Sequence, residues 1–192
     1  MKAEKTLRTV GATSHAKRER DQHDFYATPR IAVERLLEKC YFDIDNDVLE
    51  PCCGQGNISK VLEEWGFHVK SMDLYDHGYG EIGIDFLQYN EPFDGDIVTN
   101  PPYKLAQEFI EHGLEIVGPG DKVWVLLRLV FLEGQKRRQL FDRKCLRAVY
   151  VFSKRISCYN QGQYENYQGA VAFAWFEFQK GYNKDPVIHW IN

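Results

Sequence analysis

The sequence predicts an α/β fold, a mostly parallel sheet with helices packed on both faces, and three observations carry that reading. Apolar strand-like runs alternate with helix-like segments along most of the chain, which is the pattern of a doubly wound sheet. An early strand breaks into a glycine turn that opens a helix, and an acid stands roughly twenty residues on. The chain is 192 residues long and 44% hydrophobic, enough for one core and short for two.

Residues 1–23 carry Lys2, Lys5, Arg8, Lys17, Arg18 and Arg20 against Glu4, Glu19 and Asp21, with sparse, aperiodic apolar residues. They read as a basic tail that is either a nucleic-acid contact or a plain leader. Residues 24–192 read as the single domain. Thr28 is the expected N-cap of a first helix, with Pro29 at its first position and Ile31, Leu36, Leu37 and Cys40 on its apolar side.

The strand Asp47–Glu50 leads into Pro51-Cys52-Cys53-Gly54-Gln55-Gly56-Asn57. Ile58, Val61, Leu62 and Trp65 then recur at one face of a helix, and Gly66 stops it. Gly54 and Gly56 leave the backbone open to close approach by a ligand. The next strand, Phe67–Met72, ends at Asp73, placed to hold a ribose diol. Ser59 stands where the third glycine of a dinucleotide fingerprint belongs, so a ligand without a pyrophosphate is expected.

Further on, Asp85-Phe86 follows a glycine-marked stretch, and Asp96–Thr99 is a strand that ends in Asn100-Pro101-Pro102-Tyr103. The prolines fix φ and remove donors, and Asn100 is pushed toward an extended conformation. Such a corner suits a planar ligand bearing an amino group. The Asn100 side-chain oxygen and the Asn100 or Pro101 carbonyl are candidate acceptors, and Tyr103 is a stacking partner. Lys104–Val117 is a helix with Leu105, Phe109, Ile110 and Leu114 inward, broken by Gly118-Pro119-Gly120. Lys122–Phe131 begins as a buried strand, and Leu146–Phe152 and Ala170–Phe178 are expected to form an antiparallel pair at the sheet's edge.

These motifs and their order resemble S-adenosylmethionine-dependent amino-methyltransferases, and most of all the small DNA adenine-N6 methyltransferases of phages and prophages. The resemblance rests on Glu50-Pro51-x-x-Gly54-x-Gly56, Asp73, Asp85-Phe86, Asn100-Pro101-Pro102-Tyr103 and the upstream Asp24-Phe25-Tyr26-Ala27-Thr28-Pro29. Val149–Ile156 and Ala174-Trp175-Phe176 add to it, so it runs from about residue 24 onward.

The resemblance implies a Rossmann-like class I methyltransferase fold with a seven-stranded, mostly parallel sheet and an antiparallel edge strand. It implies S-adenosylmethionine bound by Glu50, Pro51, Cys52, Gly54, Gly56, Asp73, Leu74, Asp85, Phe86 and Asn100. Asp73 would hold the ribose, Asp85 the cofactor's adenine amino group with Phe86 on that ring, and Glu50 the methionine end. Asn100, Pro101, Pro102 and Tyr103 would be the catalytic corner. The acceptor is expected to be adenine N6 in DNA, with RNA adenine or a protein glutamine amide as the alternative, and a degenerate binding module as the non-enzymatic one. A duplex base would be flipped into the site. Tyr159 is favoured over Tyr164 and Tyr167 of the 157–169 loop as its second stacking partner. Arg128, Lys154 and Arg155 are expected to meet phosphates.

The net charge of −4 confines any nucleic-acid contact to local patches. Lys136, Arg137, Arg138, Arg143, Lys144 and Arg147 form one, either a binding face or a solvated helix face. Five cysteines without paired spacing read as reduced and cytoplasmic, with Cys52 and Cys53 as packing residues of the loop. No metal-ligand pattern, signal peptide or membrane span is expected. With no segment large enough for a separate target-recognition domain, specificity is expected to be short, relaxed, or supplied by a partner or by self-association.

Overall fold

The computed structural model describes residues 26–40, 42–43, 45–156, 158–160 and 171–192. The expected basic tail and Tyr164 and Tyr167 therefore lie outside the described residues.

The elements follow in chain order. Strand β1 is Tyr26–Ala27, helix α1 Arg30–Lys39, β2 Asp47–Glu50, α2 Ser59–Glu64, β3 Val69–Asp73 and β4 Glu81–Ile82. Strand β5 is Gly95–Thr99, α3 Ala106–Ile116, β6 Lys122–Arg128, α4 Arg138–Asp142, β7 Leu146–Phe152, β8 Tyr159–Asn160, β9 Phe173–Gln179 and β10 Val187–Ile191.

Eight strands form one sheet in the order β10-β7-β9-β6-β5-β2-β3-β4. β2, β3, β4, β5 and β6 are mutually parallel, and β9 runs antiparallel to both β6 and β7. The count of seven is thus one short, because β10 adds a strand parallel to β7 at the margin. The expected β7–β9 antiparallel pair is present, and β9 is slotted between β6 and β7. β1 and β8 form a separate antiparallel ribbon.

The sheet is buried from both sides, so its central strands read as nearly continuous apolar runs. On one face α3 contributes Phe109, Ile110 and Leu114 against Ile97, Val125 and Phe176. On the other, α1 and α2 contribute Val33, Leu36, Val61 and Leu62 against Val48, Val98 and Trp124. Each such side chain stabilises the fold by roughly 1.5–3 kcal/mol. Trp175 is fully buried and donates its indole N–H to the Ala32 carbonyl at 2.8 Å, which ties α1 to the sheet. Trp175→Ala would cost roughly 3–5 kcal/mol.

Three local expectations change. Ile31, Trp65 and Leu105 are 41–44% exposed rather than inward. Pro29, not Thr28, takes the N-cap position of α1, and no side chain caps it. Thr28 is instead buried, with its hydroxyl committed elsewhere. Gly66 does end α2, at φ 95°.

Among the described residues no helix is long and apolar enough to cross a membrane, and no His/Cys/Asp/Glu group could hold a metal ion.

Candidate active site

The parallel strands β2, β3 and β5 deliver Glu50, Asp73 and Asn100 to one edge of the sheet, because each polar residue sits at or just past a strand's C-terminal end. A cavity of 340 Å³ opens there, within the roughly 300–1,000 Å³ typical of small-molecule sites. Its wall brings together Glu50, Pro51, Cys52, Asp73, Leu74, Asp85, Phe86, Asn100 and Pro102, all named as candidates from the sequence. Gly54, Gly56, Pro101 and Tyr103 are not part of that wall.

Gly54 and Gly56 serve the loop rather than an open cradle. Both have positive φ, 54° and 75°. The Gly54 N–H donates to Asp73 Oδ2 at 2.8 Å. A Cβ on Gly56 would meet the Tyr79 ring at 2.6 Å, so the chain's own aromatic fills that approach. Tyr79 is further held by its hydroxyl on Glu63, by Lys60 4.8 Å from its ring centroid, and by the Cys53 thiol on its carbonyl. The segment from Leu74 to Gly80 is thereby clasped against α2, and Leu74, Tyr75 and His77 face the cavity.

Asp73 also accepts from the Tyr75 N–H at 2.9 Å, through Oδ1. A carboxylate offers about four acceptor positions, so one on each oxygen remains for a ligand's hydroxyls. Asp85 accepts from the Leu87 N–H at 3.0 Å through Oδ1. Phe86 is buried beneath it against Phe109 and His112. Glu50 is buried and accepts from the Ser59 N–H at 2.8 Å and from the Ser59 hydroxyl. Burial pushes its carboxyl up to about 8, against the pull of those Ser59 bonds.

Asn100 is the most constrained group of the site. Its Nδ2 donates to the Tyr26 carbonyl at 2.9 Å and to the Thr28 hydroxyl at 3.1 Å. A carbonyl can only accept, so the amide cannot be flipped without setting oxygen against oxygen. The orientation leaves Asn100 Oδ1 buried and with no hydrogen-bond partner. An orphaned buried acceptor costs about 1–3 kcal/mol, and this one belongs to a cavity-lining residue. The backbone carbonyl of Asn100 faces the Cys52 thiol at 3.5 Å, and that thiol lies 2.8 Å from the Thr99 hydroxyl. Burial pushes Cys52 well up, so it serves as a packing and hydrogen-bonding group.

The Tyr103 ring stands 5.6 Å from that of Tyr26, at 31°, and 4.9 Å from the Arg128 guanidinium carbon. Its hydroxyl is buried beside the Cys158 thiol and the Asn100 amide, and burial pushes the phenol well up. Lys154 and Arg155 are exposed just past β7, at the same edge of the sheet. Tyr159 pairs with Ala27 in the ribbon, so its backbone comes beside the strand that holds Asn100. The basic cluster is largely tied up: Arg137 lies on Phe131, Arg138 pairs with Asp142, Arg143 with Glu111, Lys144 with Asp185 and Arg147 with the buried Glu177.

Sequence reading missed Tyr26, Thr28 and Lys104 as cavity residues.

No family model and no curated protein matches the chain. Solved structures do. A Listeria monocytogenes protein described as a class I S-adenosylmethionine-dependent methyltransferase superposes with a TM-score of 0.61 at 11% identity, over 91% of this chain and 68% of that one. A Vibrio vulnificus protein described as a modification subunit of a type I restriction enzyme gives 0.62 at 15% identity, over 86% and 47%. A Pyrococcus horikoshii protein described as an RNA methyltransferase gives 0.59 at 17% identity, over 81% and 87%. The chain therefore spans about half the length of the Vibrio subunit. Its fold is that of the class I methyltransferases, with an extra parallel strand at one margin.

Proposed function

We propose that this protein is an S-adenosylmethionine-dependent methyltransferase acting on a planar amino group, adenine N6 in DNA. The observation that carries the reading is the unpartnered Asn100 Oδ1, buried on a residue that lines the cavity, with its amide nitrogen already committed. Such an acceptor fits an incoming N–H donor.

The residues present fit the cofactor. Asp73 keeps acceptor positions for ribose hydroxyls, Asp85 Oδ2 is open to an amino group, and Phe86 and Leu87 supply apolar wall. Bound there, S-adenosylmethionine would supply an activated methyl group on a good leaving group. The protein's share is alignment and exclusion of water. Asn100 Oδ1 would accept from the amino group and stabilise the positive charge that grows on its nitrogen. The site needs no strong base, because the methylated ammonium is acidic and sheds its proton to solvent. An acceptor ring stacking on Tyr103 would take the place of Tyr26 or Arg128 beside it, and a displaced Arg128 would be free to meet a phosphate.

The likeness to restriction-modification subunits supports DNA as the acceptor. The test is transfer of labelled methyl groups to duplex DNA, single-stranded DNA, RNA and protein in parallel, with nucleoside mass spectrometry and an Asn100→Ala control. N6-methyladenine from DNA, absent with the control, is expected. Label found only in RNA or only in protein would reassign the substrate, and no label anywhere would remove the methyltransferase reading.

A further inference from the structure

The sheet ends on an unusual strand. β10, Val187-Ile188-His189-Trp190-Ile191, is the outermost strand beyond β7 and carries no Lys, Arg, Asp, Glu, Pro or Gly. Edge strands are commonly protected by charge, proline or a cover. Here Ile188 is 52% exposed and Trp190 65%. Both project to the face of Val149 and Val151, while His189 stacks on Tyr150 on the opposite face.

The backbone is equally informative. The Ile191 carbonyl accepts from the Ser153 N–H, so residues 187, 189 and 191 direct their backbone groups toward β7. In a parallel strand alternate residues bond to opposite sides. The N–H and C=O groups of Ile188 and Trp190 therefore point outward, and among the described residues no strand pairs with them.

Two outward-directed residues flanking one central residue form a self-complementary unit. An antiparallel pairing of β10 with its copy, with the two-fold axis at His189, sets Ile188 opposite Trp190 of the second copy in both hydrogen-bonded pairs. All four outward groups of each strand are then satisfied. Aliphatic–aromatic cross-strand pairs of this kind stabilise sheets. A hollow of 400 Å³ lies at the start of the same strand, its apolar wall made by Leu132, Phe141, Leu146 and Pro186 and the rest by Asp142, Lys184 and the Lys144–Asp185 ion pair. Phe141 and Leu146 belong to the core on the face where Trp190 projects. In the antiparallel register each Trp190 stands on the same face of the joined sheet as the other copy's hollow, so knob and hole are exchanged twice, as an isologous interface requires.

We infer that β10 is a homodimer interface: two copies join edge to edge into one continuous sheet, each Trp190 seated in the other's hollow. The cavity at the C-terminal ends of the parallel strands lies away from this edge, so the inference stands apart from the proposed chemistry.

The test is sedimentation equilibrium of the full chain, with cross-linking at the axis. The expected mass is twice 22.5 kDa, and Trp190→Lys should return it to 22.5 kDa with unchanged near-ultraviolet circular dichroism from the other tryptophans. His189→Cys should form a disulfide-linked dimer under mild oxidation, because a non-hydrogen-bonded antiparallel pair puts Cα atoms about 4.5 Å apart, within disulfide range. Val187→Cys, which faces residue 191 of the partner, should not, and neither should the parent chain. A monomeric parent, a dimer that survives Trp190→Lys, or a folded His189→Cys variant that fails to cross-link would each overturn the inference.

Discussion

The side-chain amide of Asn100 donates to the backbone carbonyl of Tyr26, 74 residues earlier in the chain, at 2.9 Å. That bond fixes which end of the amide is left without a partner. The acceptor half of the site is thus built jointly by the end of β5 and the short strand β1, which is itself held by β8. A corner that reads as a local proline motif is a long-range assembly.

Asn100→Ala should leave the fold and most cofactor affinity intact while turnover falls roughly 10²–10³-fold, the scale for losing one group that stabilises developing charge. Single-turnover kinetics beside calorimetric binding will separate the two. Parental turnover in the folded variant would remove Asn100 Oδ1 from the chemistry.

Thr28→Val should lower kcat roughly fivefold with little change in KM for the polymer, since one hydrogen bond of about 1 kcal/mol holds the amide in place. Thr28→Ser keeps the acceptor and should recover most of the loss. If valine and serine behave alike, the hydroxyl does not position Asn100.

Asp73→Ala should weaken S-adenosylmethionine binding by about 2 kcal/mol, the scale of a hydrogen bond to a charged group, or roughly thirtyfold in Kd. The Gly54 and Tyr75 N–H groups also lose their partner, so the melting temperature should drop in the ligand-free protein. A variant with lower stability but parental affinity would make Asp73 purely a loop tether.

Glu50 links the site to pH. Its carboxyl is raised from 4.5 to about 8 by burial, so the folded chain keeps a proton that the unfolded chain releases. Its contribution to stability is fully present below about pH 4.5 and declines as pH rises toward 8. Across that window the folded chain holds up to one proton more than the unfolded chain, so stability falls as pH climbs. Glu50→Gln cannot ionise, so the difference in stability between pH 5 and pH 8.5 should be smaller in the variant than in the parent. Equal pH dependence in denaturant titrations of the two would show that Glu50 stays ionised.

Legibility followed the range of the interactions. The strand–glycine–helix turn at Glu50–Ile58, the acid closing β3 and the corner after β5 are written in local spacing, and each reached the same cavity. The roles of Thr28 and Tyr26 were hidden because their partner stands more than seventy residues away. Gly56 was misread for a related reason: positive φ is visible as a glycine, but the ring that fills its open side comes from Tyr79. Ile31, Trp65 and Leu105 fit helical periodicity and yet are exposed, since periodicity says which residues share a face and not where that face ends. β10 escaped notice because its five residues give little pattern of their own, and the sheet margin it joins exists only after β7 and β9 have paired.

The Tyr79 clasp has a consequence for sequence variation. Because a ring rather than a ligand occupies the space over Gly56, a side chain there would be felt first by the strip from Leu74 to His77 that walls the cavity. Substitution at this glycine should therefore act on how quickly a small molecule is captured and released.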